Sequence, residues 1–314
     1  MPSLKELSKK EELLSRGHRL CPGCGAPIIV RQALLAAETP VVVGCPTGCL
    51  EVATTIYPYT AWKCPFIHNA FENAAATMSG VETAYRSLKK QGRIKGPIQF
   101  VVFGGDGGTY DIGLQSLSGA LERGHRLLYI CYDNEAYMNT GIQRSSASPK
   151  GAHTTTTPPG NAVPEGKTEY RKDLTQIVAA HHIPYVAQAS PAYHMDFMKK
   201  VQKALSVDGP SFINTLAPCP RGWRYPADKT VEIAKLAVLT GFWPLYEIEN
   251  GQYRITYKPK KRRPLVDFLK PQGRFRHLFR EENAKFLEDL GEEVAVRERQ
   301  LMSRAGVEEA GEKE

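Results

Sequence analysis

The sequence predicts an α/β protein built on a parallel sheet with helices on both faces. Three observations carry this. β-rich and helix-periodic segments alternate from residue 99 to residue 216, the order of βαβ units. Residues 127–132 form a continuous apolar run with no in–out alternation, which suits a strand buried on both faces of a parallel sheet. A glycine-rich loop at residues 104–108 falls between a strand and a helix, where such sheets open their ligand crevice.

Taken in order, residues 99–103 form a short β-rich run that leads into this loop. Leu114, Leu117 and Leu121 recur at i, i+3 and i+7, predicting a helix that ends near Gly124. The strand 127–132 completes the first βαβ unit. A second follows, with helix at 174–180, strand at 185–187, helix at 195–205 and strand at 211–216. Residues 140–167 are rich in Gly, Ser, Thr and Pro and too long for a routine connection, so they are expected to be functional or disordered. The chain divides into an N-terminal arm (1–16), a binding domain (17–257), and a basic linker with a charged C-terminal extension (258–314). Residues 281–314 read as a charged helix or tail.

Composition narrows the classes. The chain has 314 residues, 42% hydrophobic and 24% charged, which excludes overall disorder. No run approaches the roughly 20 apolar residues that cross a bilayer, so no membrane role is expected. Residues 1–16 are rich in Lys and Glu and lack an apolar signal core, which points to the cytoplasm. The net charge of +8 and the basic run 258–263 invite a nucleic-acid reading. That run is short and has no stacking aromatics within it, so an acidic protein partner or a solvated face is the better expectation.

Of seven cysteines, Cys131 lies in an apolar strand and reads as core; Cys45 and Cys64 read as structural. Cys21-Pro22-Gly23-Cys24 sets two thiols on one side of a tight turn, the geometry a soft metal needs. Cys49, after Thr47-Gly48, and Cys219, between Pro218 and Pro220, lie in loop-like contexts. Cys21, Cys24, Cys49 and Cys219 therefore suggest a four-thiolate site for either zinc or an iron–sulfur cluster.

Gly105-Asp106-Gly107-Gly108 suits a diphosphate, because glycines let backbone N–H groups approach it and the next helix adds its positive end. The loop lacks both the GxGxxG spacing and the Walker ending. Its aspartate points to a hard cation such as Mg²⁺. Asn134 ends the neighbouring strand, so Asp106 and Asn134 are expected to face one crevice.

With these motifs the chain resembles the thiamine-diphosphate-binding β subunit of the 2-oxoacid:ferredoxin oxidoreductases, over roughly residues 17–280. The resemblance rests on Gly17-His18-Arg19-Leu20-Cys21-Pro22-Gly23-Cys24-Gly25, Thr47-Gly48-Cys49, Ala70-Phe71-Glu72-Asn73, Gly105-Asp106-Gly107, and Asp133-Asn134-Glu135-Ala136-Tyr137-Met138-Asn139-Thr140-Gly141. Pro218-Cys219 and Gln272-Gly273-Arg274-Phe275-Arg276 extend it.

The resemblance implies a thiamine-diphosphate-binding fold and a [4Fe–4S] cluster on Cys21, Cys24, Cys49 and Cys219. It implies Mg²⁺ on Asp106, Asn134 and the Ala136 carbonyl. The diphosphate would lie on Gly105, Asp106, Gly107 and Gly108, and on Asn134, Glu135, Ala136, Tyr137, Met138 and Asn139, with Ala26 and Cys49 against the thiamine. It further implies oxidative decarboxylation with electrons passed to ferredoxin, in a complex with α-, γ- and δ-type subunits. One of those would supply the carboxylate that activates the cofactor. Asn139 and Thr140 are the candidates to touch substrate. The substrate is pyruvate or oxalate with a slight lean to oxalate; coenzyme A is needed only if it is pyruvate. The competing expectation is a non-redox thiamine-dependent decarboxylase or synthase with a structural zinc.

Overall fold

A computed structural model describes residues 4–307. Its eight strands are β1 (Val41–Pro46), β2 (Phe66–Asn69), β3 (Gln99–Gly105), β4 (Leu128–Asp133), β5 (Tyr185–Ala189), β6 (Ser211–Leu216), β7 (Leu245–Glu249) and β8 (Gln252–Tyr257). They form one sheet in the order β2-β1-β3-β4-β6-β5-β7-β8. The first six are parallel to one another.

The apolar runs are explained by coverage on both faces. Val101 and Phe103 of β3, with Leu128, Ile130 and Tyr132 of β4, join a core that includes the helices Gly25–Ala36 and His194–Ser206. The alternate residues, Phe100, Val102, Tyr129 and Cys131, join a second core that includes the helices Ala74–Lys90, Leu114–Glu122 and Leu174–Ala179. Each strand side chain is therefore apolar whichever way it points.

The sheet is mixed rather than wholly parallel. β7 runs antiparallel to β5, and β8 antiparallel to β7. Asn250 and Gly251 join them at φ +50° and +82°, the left-handed pair that a tight hairpin needs.

Residues 140–167 are ordered and packed. Ser145, Ala147, Ser148 and Ala152 are buried. The backbone is tied by Gly151 N donating to the Lys167 carbonyl (2.7 Å) and His153 N to that of Arg274 (2.9 Å).

The two ends also pack onto the body. Leu14 is buried, and Ser15 N donates to the Ala61 carbonyl at 2.7 Å. Phe268, Leu269, Phe275 and Leu278 share a third core with Trp223, Trp243 and Leu245, and the helix Ala284–Arg304 closes over it through Leu290. Within the basic run, Arg262 pairs with Glu298 (2.7 Å) and Arg263 with Asp267 (2.6 Å). Residues 1–3 of the expected arm and 308–314 of the expected tail lie outside the described residues. No helix among the described residues is long and apolar enough to cross a membrane.

β1, β3, β4 and β6 are consecutive and parallel, so their C-terminal ends share one edge. From that edge leave residues 47–49, Asp106, Asn134 and the segment leading to Cys219. The topology thus gathers motifs that lie up to 170 residues apart in sequence (219 − 49).

Candidate cofactor and metal site

Asp106 follows β3 directly, and Gly107–Asp111 then form one wide π-helical turn before the helix begins at Leu114. Such turns recur at functional sites because they open the backbone ladder. The glycines are required by close approach. A Cβ on Gly107 would sit 2.4 Å from the Tyr137 ring, and one on Gly108 would sit 3.0 Å from the Phe71 carbonyl. Above them is a cavity of about 370 Å³. Residues 105–108 line one wall, residues 134 and 136–140 another, and residues 47–49 one end.

Three oxygen-bearing groups converge in the wall. One terminal amide atom of Asn134 lies 2.8 Å from both Asp106 Oδ1 and the Ala136 carbonyl. An amide nitrogen in that position donates to both. With the oxygen there, it faces the other two at about the separation of adjacent corners of a Mg²⁺ octahedron, about 3 Å for ligand distances of ~2.1 Å. The residues present therefore fit a hard cation.

Asp106 itself is buried. Burial, then the nearby Asp133 carboxylate, push its carboxyl well above the usual range. Ser145 Oγ donates to its Oδ2 at 2.5 Å, and Asn134 N to its Oδ1 at 3.4 Å.

The other expected residues divide. Tyr137 lines the cavity, its hydroxyl donating to Asp111 Oδ2 (3.0 Å) and the Gly107 carbonyl (3.3 Å). Met138 reaches from the cavity to Gly222, where a Cβ would meet its sulfur at 2.2 Å. Asn139 and Thr140 are exposed at the rim, and Thr140 Oγ1 donates to Gln143 Oε1 at 2.5 Å. Glu135 is buried with its carboxylate turned toward Arg171 and Arg274, away from the cavity. Ala26 is buried in the sheet core and does not line the cavity. Nothing local in the sequence marks Ser145, Arg171 or Arg274 as partners of this loop, because each meets it from a distant segment.

The four thiols come from three segments. The Cys21–Cys24 turn lies on the segment 217–230: Gly25 N donates to the Pro218 carbonyl at 3.1 Å, and Thr230 Oγ1 donates to the Gly23 carbonyl. Gly23 has φ +72°, and a Cβ there would meet the Ala227 carbonyl at 2.2 Å. Cys219 caps the turn Pro220–Trp223, its sulfur accepting from Gly222 N at 3.3 Å. Cys49 opens the helix Cys49–Thr54.

Burial, then the charges of Cys219, Cys49 and Cys21, push the Cys24 thiol up to about 12. Burial, then Cys219, Cys21 and Asp106, do the same at Cys49. The four sulfurs thus share one electrostatic neighbourhood, which reaches Asp106 through Cys49. Without a metal the thiols of Cys24, Cys49 and Cys219, raised by burial, stay protonated; a bound metal would hold them as thiolates.

Among the described residues, no three His, Cys, Asp or Glu side chains gather closely enough to hold a single ion. A tetrahedral zinc with Zn–S near 2.3 Å sets sulfurs about 3.8 Å apart. A four-iron cluster is larger and spreads its ligands further than a single zinc ion does. Cys45 and Cys131 are buried within β1 and β4, and Cys64 is partly buried.

Residues 43–215 match the family model described as the thiamine pyrophosphate enzyme, C-terminal TPP binding domain. The chain is 57% identical to pyruvate synthase subunit PorB of Thermotoga maritima over 305 residues, covering 95% of this chain and 94% of that protein. The chain belongs to the β subunits of the 2-oxoacid:ferredoxin oxidoreductases. This β subunit is also 49% identical to ketoisovalerate oxidoreductase subunit VorB of Pyrococcus abyssi, covering 87% of this chain and 88% of that one. Its fold is shared with a 2-oxoglutarate:ferredoxin oxidoreductase from Magnetococcus marinus, at a TM-score of 0.54 and 20% identity over 72% of this chain and 81% of the other.

Proposed function

We propose that this β subunit holds thiamine diphosphate, Mg²⁺ and a [4Fe–4S] cluster in a cytoplasmic pyruvate:ferredoxin oxidoreductase. The observation that carries the reading is Cys49, which belongs both to the cavity wall and to the thiol quartet. A group bound in the cavity is thereby next to the quartet, an arrangement that a non-redox thiamine enzyme with a structural zinc does not need.

Bound there, thiamine diphosphate supplies an electron sink for decarboxylation and the cluster a one-electron outlet. The chain's own residues bind and orient. Asp106, Asn134 and the Ala136 carbonyl hold the cation, and the glycine wall lets backbone N–H groups reach the diphosphate. Cys21, Cys24, Cys49 and Cys219 hold the iron. Asn139 and Thr140 present polar groups at the rim, where a small carboxylate enters. The activating carboxylate and the remaining electron carriers belong to other subunits, and coenzyme A takes the acyl group.

The PorB relative supports pyruvate over oxalate, toward which the sequence resemblance leans. Lys258, Lys260 and Lys261 remain exposed beside the paired Arg262 and Arg263, and they give an acidic ferredoxin a steering surface.

The test is anaerobic purification of the assembled complex, with analysis for iron, zinc and thiamine and assays of ferredoxin reduction. Four irons per β-subunit site and faster turnover of pyruvate than oxalate, dependent on coenzyme A, are expected. Asp106→Asn should weaken Mg²⁺-dependent cofactor binding about 10- to 100-fold and leave iron content unchanged. Zinc in place of iron, or cofactor binding indifferent to Asp106→Asn, overturns the proposal; faster oxalate turnover overturns the substrate.

A further inference from the structure

Glu135 combines three properties that its neighbours do not explain. It is not a glycine, yet its backbone lies at φ +68°. Its side chain is fully buried, and both of its carboxylate oxygens are taken by arginines from distant segments. Arg171 Nη1 meets Oε1 at 2.7 Å, and Arg274 Nη2 meets Oε2 at 2.6 Å. A left-handed conformation at such a residue is unfavourable and persists only where its surroundings impose it.

The surroundings hold every part of the turn. Arg171 Nη2 also pairs with Asp133 Oδ2 at 2.5 Å, so two buried acids face the buried Arg274 and the half-buried Arg171, and the charges balance. Ser148 Oγ donates to the Glu135 carbonyl at 2.7 Å, and Glu135 N donates to Asp133 Oδ1 at 3.1 Å. The Trp223 indole N–H donates to the Asn134 carbonyl at 2.7 Å, and the Arg274 guanidinium lies over the Trp223 ring, 3.9 Å from its centre.

The reversal at Glu135 is what turns the Asn134 side chain and the Ala136 carbonyl toward Asp106. We infer that Glu135, clamped by Arg171 and Arg274 and braced by Trp223, positions the oxygens of the cation site, and that the bracket ties this site to the Cys219 loop. Glu135, Arg171, Arg274 and Trp223 are positioning residues; none of them touches the cation. Trp223 lies four residues past Cys219 (223 − 219), so the same indole bridges the last thiol's turn and the cation loop. This rests on the proposed reading that Asp106, Asn134 and Ala136 bind Mg²⁺.

The experiment uses the assembled complex stripped of Mg²⁺ and thiamine diphosphate, with Mg²⁺ binding measured by titration at fixed thiamine diphosphate. Glu135→Gln keeps the side-chain shape and removes the charge that both arginines hold. Its Mg²⁺ dissociation constant should rise about 10- to 100-fold, the range for residues that orient metal ligands. Iron content and thermal midpoint of the loaded complex should stay near wild type, and excess Mg²⁺ should restore kcat. Trp223→Phe leaves the ion pairs intact and removes one N–H; it should shift the constant in the same direction by less. Unchanged Mg²⁺ affinity in folded Glu135→Gln and Trp223→Phe complexes overturns the inference. If Glu135→Gln does not assemble, Trp223→Phe alone decides it. Wild-type complex that takes up no Mg²⁺ under these conditions overturns the functional reading instead.

Discussion

At Gly107 the backbone leaves no room for one further carbon. Tyr137 fills that space, and its hydroxyl is tethered to Asp111 and to the Gly107 carbonyl, so the ring yields only by moving into the cavity. Gly107→Ala should therefore weaken thiamine diphosphate binding by about 1–3 kcal/mol, roughly 5- to 150-fold, the range for overpacking a tight site. Fluorescence titration of the assembled complex checks it. Gly80 is the control. It lies mid-helix with nothing within 4 Å of an added Cβ, so Gly80→Ala should stabilise the chain by about 0.5–1 kcal/mol and leave binding alone.

Residues of this kind were legible because their roles follow from local placement. A glycine–aspartate turn after one strand and an asparagine after the next must share a crevice in a parallel sheet. The thiols of Cys21 and Cys24 were legible through their spacing. Ser145, Arg171 and Arg274 were not, because their partners lie 39, 36 and 139 residues away and nothing local marks a buried arginine.

Among the elements, the β7–β8 hairpin shows where reading failed despite a usable signal. Asn250-Gly251 between two runs with alternating apolar residues is a strong mark of a tight hairpin. The βαβ order itself ends at β6, so it carries no expectation for this hairpin. Conversely, the composition of residues 140–167 leaves function and disorder both open. Its small side chains pack under the loop instead, where Ser145 and Ser148 satisfy buried acceptors.

The hairpin carries a buried charge with a readable pH signature. Glu247 on β7 is buried, which alone would raise its carboxyl. Lys203 (2.8 Å) and Arg254 (2.8 Å) on one oxygen, and the Tyr185 hydroxyl (2.7 Å) on the other, outweigh burial and hold it below the usual 4.5. The unfolded chain therefore takes up this proton before the folded one as pH falls. The contribution is fully present above pH 4.5 and is lost as pH drops through the folded value. Urea midpoints of wild type and Glu247→Gln, compared at pH 7 and in steps below 4.5, should differ most at pH 7 and converge in acid. A constant gap across that range would mean that packing, not charge, sets the difference.

At the scale of the whole molecule, residues beyond the expected division at 257 pack into the same core as Trp223, Trp243 and Leu245. Residues 258–263 read as a basic linker because six charged or proline residues in a row carry no apolar pattern. The apolar residues that follow, among them Phe268, Leu269, Phe275 and Leu278, meet Trp223 and Trp243, which lie 25 to 55 residues earlier (268 − 243 and 278 − 223). Yet Phe268, Phe275 and Leu278 are fully buried against Trp223 and Trp243, and Arg274 between them reaches Glu135. If residues 264–304 were an appended tail, weakening their packing would melt that tail alone. If the core is shared, as its contacts require, the same change lowers the whole chain. Leu278→Ala decides between these. Removing a fully buried leucine side chain should reduce stability by about 2–5 kcal/mol. The loss should appear as one transition at a lower temperature, with near-ultraviolet signals from Trp223 and Trp243 melting together with the helical signal. It should also raise the Mg²⁺ concentration needed for saturation, because the 3₁₀ turn Gly273–Phe279 holds both Leu278 and Arg274. An early, separate transition with unchanged Mg²⁺ binding would restore the boundary at 257.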